Sequence, residues 1–178
     1  LGNGASGAGL QAHRYVIPTA GEEVWDDVDA DDNGLPTHSD SNAVYYKGSF
    51  GAVGVSAAYV DDSAASDNSI VLTYSGLVDG LTLGYGQGED GETTDLMTAY
   101  AKYSVGSVTA AVQRSERDLE GSASDETSTG IGVSLAVNEN LSLSYGVFEV
   151  EMGTGKEDED SRGISASYTS GGMKIVGV

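Results

Sequence analysis

From residue 42 onward the chain keeps a two-residue rhythm. Segments of about ten residues alternate apolar side chains with Gly, Ser, Thr or Ala, the period of a strand with two unlike faces. Ile131, Val133, Leu135 and Val137 share one face, and Gly130, Gly132, Ser134 and Ala136 the other. Leu141, Leu143, Tyr145 and Val147 oppose Ser142, Ser144 and Gly146 in the same way, as Val53, Val55 and Tyr59 oppose Gly54, Ser56 and Ala58. A helix cannot use this pattern, because its faces repeat every 3.6 residues. Ten strands are expected, at 42–48, 51–60, 69–76, 80–87, 96–104, 107–115, 128–137, 140–149, 162–170 and 172–178.

The connections are expected to alternate. Short turns fall near Gly48–Gly51, Gly76–Gly80, Ser104–Ser107, Val137–Asn140 and Ser170–Gly172, and long loops near 61–68, 88–95, 116–127 and 150–161. In an up-and-down meander this puts all short turns at one end. Charge follows the same division. Of 28 acids, only Asp79 and Glu139 lie at short turns; eight fall in residues 22–40 and eighteen in or beside the long loops. Strand interiors stay nearly free of charge, as an apolar membrane band requires. Tyr46, Tyr59, Tyr74, Tyr85, Tyr103 and Tyr168 lie near expected strand ends, where amphipathic rings meet the lipid–water boundary. The pattern predicts an all-β chain, a transmembrane antiparallel up-and-down β-barrel. Its lumen face would carry small residues with Lys47 and Lys102. Arg114 shares parity with Val112 and would face lipid, so it is expected at the outer boundary, where its cost is about 0–1 kcal/mol.

Composition removes several alternatives. With 28 acidic and 8 basic side chains the net charge is −20, which leaves no basic footprint for nucleic acid. The chain has no Cys, excluding disulfide frameworks and thiolate metal sites. No run reaches the ~18 apolar residues of a membrane helix. His13 and His38 share no catalytic spacing with a Ser, and there is no nucleotide-binding glycine loop, so no enzyme is expected. Leu1 at one end and Met173–Val178 at the other read as parts of a longer chain. Ten strands with open edges leave backbone groups unpaired in lipid, which gives the same expectation.

The whole chain resembles a Gram-negative general diffusion porin of the Rhodobacter-type alphaproteobacterial group. Leu-Gly-Asn-Gly-Ala-Ser-Gly-Ala (1–8) is similar to the end of the family's fifth strand. Residues 9–41 are similar to the long third loop that folds back into the lumen. Residues 42–59 resemble the next hairpin, and 167–177 the hairpin before the last strand. The resemblance implies one barrel domain over 1–178, with strand end and constriction loop at 1–41, and ten of sixteen strands at 42–178. It implies a homotrimer in the cell outer membrane of a Gram-negative bacterium, in contact with lipid and lipopolysaccharide. It also implies a passive outer-membrane diffusion channel for ions and small hydrophilic solutes.

The same resemblance places loop acids on one side of the pore constriction: Glu22, Glu23, Asp26, Asp27, Asp29, Asp31 and Asp32. A pore lined by one sign of charge selects ions by charge, so cation preference is expected. Arg14 would pair with a loop acid or line the pore. Asp29, Asp31, Asn33, Gly34 and Asp40 nearly fit the calcium-loop spacing, although Asp40 replaces the bidentate Glu and Pro36 interrupts the loop. No cofactor is required; a structural Ca²⁺ on Asp29, Asp31, Asn33 and Asp40 is the candidate. Glu157–Asp160 and Asp125–Glu126 are candidates for diffuse divalent binding at the rim. The competing reading is a secreted acidic calcium-binding β-domain of adhesin type.

Overall fold

The computed structural model describes residues 7–24, 34–36, 42–61, 66–91, 93–121, 125–153 and 155–178. Among the described residues, ten strands follow a short 3-10 helix at Gly9–His13: β1 Ala43–Phe50, β2 Val53–Asp61, β3 Ser66–Tyr74, β4 Leu81–Glu89, β5 Thr94–Val105, β6 Val108–Leu119, β7 Glu126–Ala136, β8 Leu141–Met152, β9 Glu159–Ser170 and β10 Met173–Gly177. They form one antiparallel sheet in sequence order. Every strand pairs with its chain neighbour, so each connection is a hairpin. The expected meander is observed as an open ten-stranded sheet.

The two-residue rhythm sets the faces as read. Val44, Ile70, Leu72, Val112, Ile131, Val133, Leu143 and Ile164 are exposed on one face. Ser56, Ser69, Thr98, Ser115, Ser128, Ser144, Ser165 and Ser167 are buried on the other. This inverts the usual soluble arrangement, in which apolar residues go inside. Tyr74, Tyr103 and Tyr168 lie on the apolar face within three residues of short-turn strand ends. Tyr85 pairs with Ala99, which pairs with Arg114, so that ring shares a cross-strand row with the exposed Arg114. Arg114 Nε reaches Glu116 Oε1 at 3.1 Å on the same face.

Two expectations are corrected. β5 to β9 run further into the charged segments than alternation indicated, and β3 begins and ends earlier. The apolar signal stops where side chains meet water, but the backbone ladder continues through residues such as Glu116, Asp118, Glu149 and Glu151. The connections are consequently less unequal than expected. The β3–β4 connection spans 75–80, as long as the β6–β7 connection at 120–125. The division of charge survives, because the acids sit at strand ends on the long-loop side.

Candidate functional site

Residues 8–24 form a strap across the small-residue face. Its first part, Gly9 and Leu10, lies on β2, β3 and β4; its last part, Thr19 to Val24, lies on β8 and β9. An irregular segment must find partners for its own backbone groups. The sheet supplies them as hydroxyls. Ser56 Oγ accepts from Gly9 N at 2.9 Å, Ser69 Oγ from Leu10 N at 3.1 Å, and Ser144 Oγ from Ala20 N at 2.8 Å. Ser144 and Ser165 share a further bond at 2.7 Å, and Thr19 Oγ1 lies 3.3 Å from Ser165 Oγ.

Apolar strap residues fill sockets between these bonds. Leu10 packs with Leu35, Val71 and Leu96. Val16, Ile17 and Val24 pack with Ala111, Phe148 and Val150. Close approach requires glycines in the sheet. A Cβ on Gly132 would stand 2.6 Å from Ile17 Cγ2, and one on Gly86 would stand 2.9 Å from Leu10 Cδ2. Each buried Leu or Ile contributes roughly 1.5–3 kcal/mol to docking.

The small-residue face is therefore not uniformly small. Val71, Leu96, Tyr100, Gln113, Phe148 and Val150 are inward-facing residues that the reading of a Gly, Ser, Thr and Ala wall left out. The signal was present in their parity: Phe148 and Val150 alternate with Glu149 and Glu151. The apolar alternation of β8 changes face toward its second end, where its inner face meets the strap.

Glu22 and Glu23 sit at the end of the strap, exposed and half-buried respectively. They border a cleft of about 210 Å³ shared with Thr19, Ser161 and Ser165. Asp26, Asp27, Asp29, Asp31 and Asp32 lie outside the described residues, as do Asn33 and Asp40 of the calcium motif. Gly34, within that motif, is described and has φ +70. Lys47 stands opposite Ser56 on the inner face of β1 and borders a second hollow with His13 and Thr73. Lys102, half-buried on β5, pairs with Thr82 and Ala111. Arg14 is buried in the strap, its guanidinium carbon 5.9 Å from the Tyr15 ring centroid. Lys47 thus lies beside the first half of the strap, and Glu22 and Glu23 lie at its end, by a cleft that Arg162 also lines.

At the middle of the strap, His13 Nδ1 lies 2.9 Å from Tyr100 Oη, and the rings stack at 5.6 Å. Burial, and then the nearby positive Lys47, hold the His13 imidazole below its ordinary value of 6.5. Above the strap, Glu126 is buried between Arg117 and Lys156, each at 3.7 Å. Asp125 Oδ1 accepts from Leu119 N at 3.2 Å. These two acids tie strand ends and a loop together in the described structure. Parity puts Glu126 on the inner face, within reach of both cations.

An exposed apolar face, tyrosines toward its margins and a hydroxyl-rich inner face define a transmembrane β-strand protein. The family model described as Gram-negative porin matches residues 4–176, and the chain belongs to that family. Members are non-enzymatic diffusion channels that pass small solutes and ions, and the location is the outer membrane. No curated protein matches the chain. Family membership decides against the secreted adhesin-type reading.

Proposed function

We propose that the sheet is wall of a closed sixteen-stranded barrel of the Rhodobacter type, assembled as a homotrimer, and that the strap narrows its lumen. One observation carries this reading. A 17-residue segment crosses from β2 to β9 on the hydroxyl-rich face, while the opposite face stays apolar and exposed. Cation preference follows from the acids of the strap and its continuation, with Glu22 and Glu23 beside the cleft. The basic Lys47 and Lys102 lie on the wall, where they oppose rather than cancel that charge. Asp29, Asp31, Asn33 and Asp40 hold a structural Ca²⁺ in this reading, relieving repulsion among crowded carboxylates. Anionic lipopolysaccharide meets the acidic outer strand ends through divalent ions. The chain performs no catalysis.

The test is single-channel recording of the complete gene product in a planar bilayer under a KCl gradient. Stable steps in groups of three are expected, with a reversal potential favouring K⁺. Glu22→Gln with Glu23→Gln should move that potential toward zero. A wild-type potential favouring Cl⁻ would overturn the selectivity. Chelating Ca²⁺ should raise loop exchange or current noise, and no change in either would remove the metal from the reading.

A further inference from the structure

The strap is held differently at its middle and at its ends. At Gly9, Leu10 and Ala20 a serine hydroxyl takes one main-chain N–H. At His13 the sheet grips a single residue twice. Gln113 Nε2 donates to the His13 carbonyl at 2.9 Å, and Tyr100 Oη bonds the ring Nδ1 at 2.9 Å. Tyr100 and Gln113 are register partners on β5 and β6, flanked in the same row by Gly84 and Gly130.

Both grips are braced. A Cβ on Gly84 would stand 2.2 Å from the Tyr100 ring, so the ring lies flat over β4 because that position is glycine. Its hydroxyl is thereby delivered to the strap. Gln113 is 4% exposed, and its Nε2 also donates to Thr98 Oγ1 at 3.1 Å. Thr98 and Ser115, fully enclosed, share a bond at 3.1 Å. Both amide hydrogens are thus committed, and Gln113 cannot swing aside without leaving a buried donor unmet.

We infer that Tyr100 and Gln113 are positioning residues that latch the strap at His13 and hold the channel in one open state. The inference rests on the reading of the strap as the narrow part of the lumen. With the latch gone, the Leu10 and Ile17 sockets still hold the strap on either side. The stretch between them is then able to rise into the lumen and back, and current should fluctuate without loss of the fold.

The experiment is bilayer recording of the complete, natively extracted protein carrying Gln113→Leu, Tyr100→Phe or both, beside Glu22→Gln with Glu23→Gln. Loss of one buried hydrogen bond should increase time spent in reduced-conductance states about fivefold. The reversal potential should stay at the wild-type value, which a merely weakened barrel would not guarantee. Tyr100→Phe removes one oxygen and keeps the stacked ring, so it carries the test if Gln113→Leu does not fold. Steady wild-type current in folded Tyr100→Phe and Gln113→Leu, with reversal shifted in the acid variant, overturns the latch and leaves the constriction standing. Unchanged current and unchanged reversal in all of them overturns the constriction reading as well.

Discussion

Replacing Gly132 by Ala should lift the strap off the sheet. The added Cβ would lie 2.6 Å from Ile17 Cγ2, 3.4 Å from Pro18 O and 3.5 Å from Pro18 Cδ. Carbon atoms prefer a separation of about 3.5–4.0 Å, so roughly one ångström must be found. Ile17 cannot readily supply it by rotation, because a β-branched side chain is stiff at χ1. Gly130 also lies under its Cγ1. The sheet itself has no reason to move, since Gly132 pairs through backbone with Ala111 and Gly146. Overpacking of this kind costs about 1–3 kcal/mol, and here the cost falls on docking. Ile17→Ala alone should cost about 2–5 kcal/mol of docking through lost burial and a cavity. In the Gly132→Ala background the same truncation makes room for the new methyl. The double variant should therefore be better docked than the sum predicts, with a coupling of about 0.5–3 kcal/mol. Hydrogen exchange at Ala20 N–H reads strap docking, and exchange at β7 amides reads the sheet. Additive effects at Ala20, or equal loss of protection in β7, would refute the account of Gly132 as a seat for Ile17.

Ser144→Ala should leave the Ala20 N–H without its 2.8 Å acceptor and accelerate exchange there, by about 1–3 kcal/mol of lost protection; unchanged exchange would contradict it. Val133→Arg, on the exposed apolar face, should destabilise the folded protein by roughly 2–4 kcal/mol if it lies at the bilayer midplane. Urea titration in lipid vesicles measures this, and a cost near zero would place Val133 outside the apolar band. His13 should make docking pH-dependent. Its value in the docked strap lies below 6.5, so the undocked strap binds more protons between the two values. Docking is then at full strength above pH 6.5 and weakens as pH falls through the lowered value. Leu10 and Ala20 exchange, corrected for intrinsic rate, should show this dependence, and His13→Gln should flatten it.

Much of the sheet was legible because its side chains repeat every two residues and its two faces differ in kind. The facing of Ile131, Val133 and Leu143 against Ser128, Gly132 and Ser144 follows from parity alone. Strand ends were less legible, since a ladder continues after the side chains stop alternating between apolar and small, as at Glu116 and Asp118. The strap was legible only as an acidic, irregular segment resembling an inward loop. Its 3-10 turn at Gly9–His13, its sockets and its grip on Gln113 carry no local signature. The even spacing of Leu10, Ile17 and Val24 says nothing of Val71, Gly132 or Gly146 as their partners.

Strand count, hairpin order, the apolar outer face and the sorting of acids were determined by sequence, because each depends on local spacing and on which residues tolerate lipid. The path of the strap and the bonding of its backbone were decided only in three dimensions. Ser56, Ser69 and Ser144 read alike as small polar residues in a strand. They acquire different partners because Gly9, Leu10 and Ala20, between 47 and 124 residues away in the chain, are brought over them. Contacts at such separation depend on how the whole sheet assembles, and no window of sequence contains both sides of the interaction.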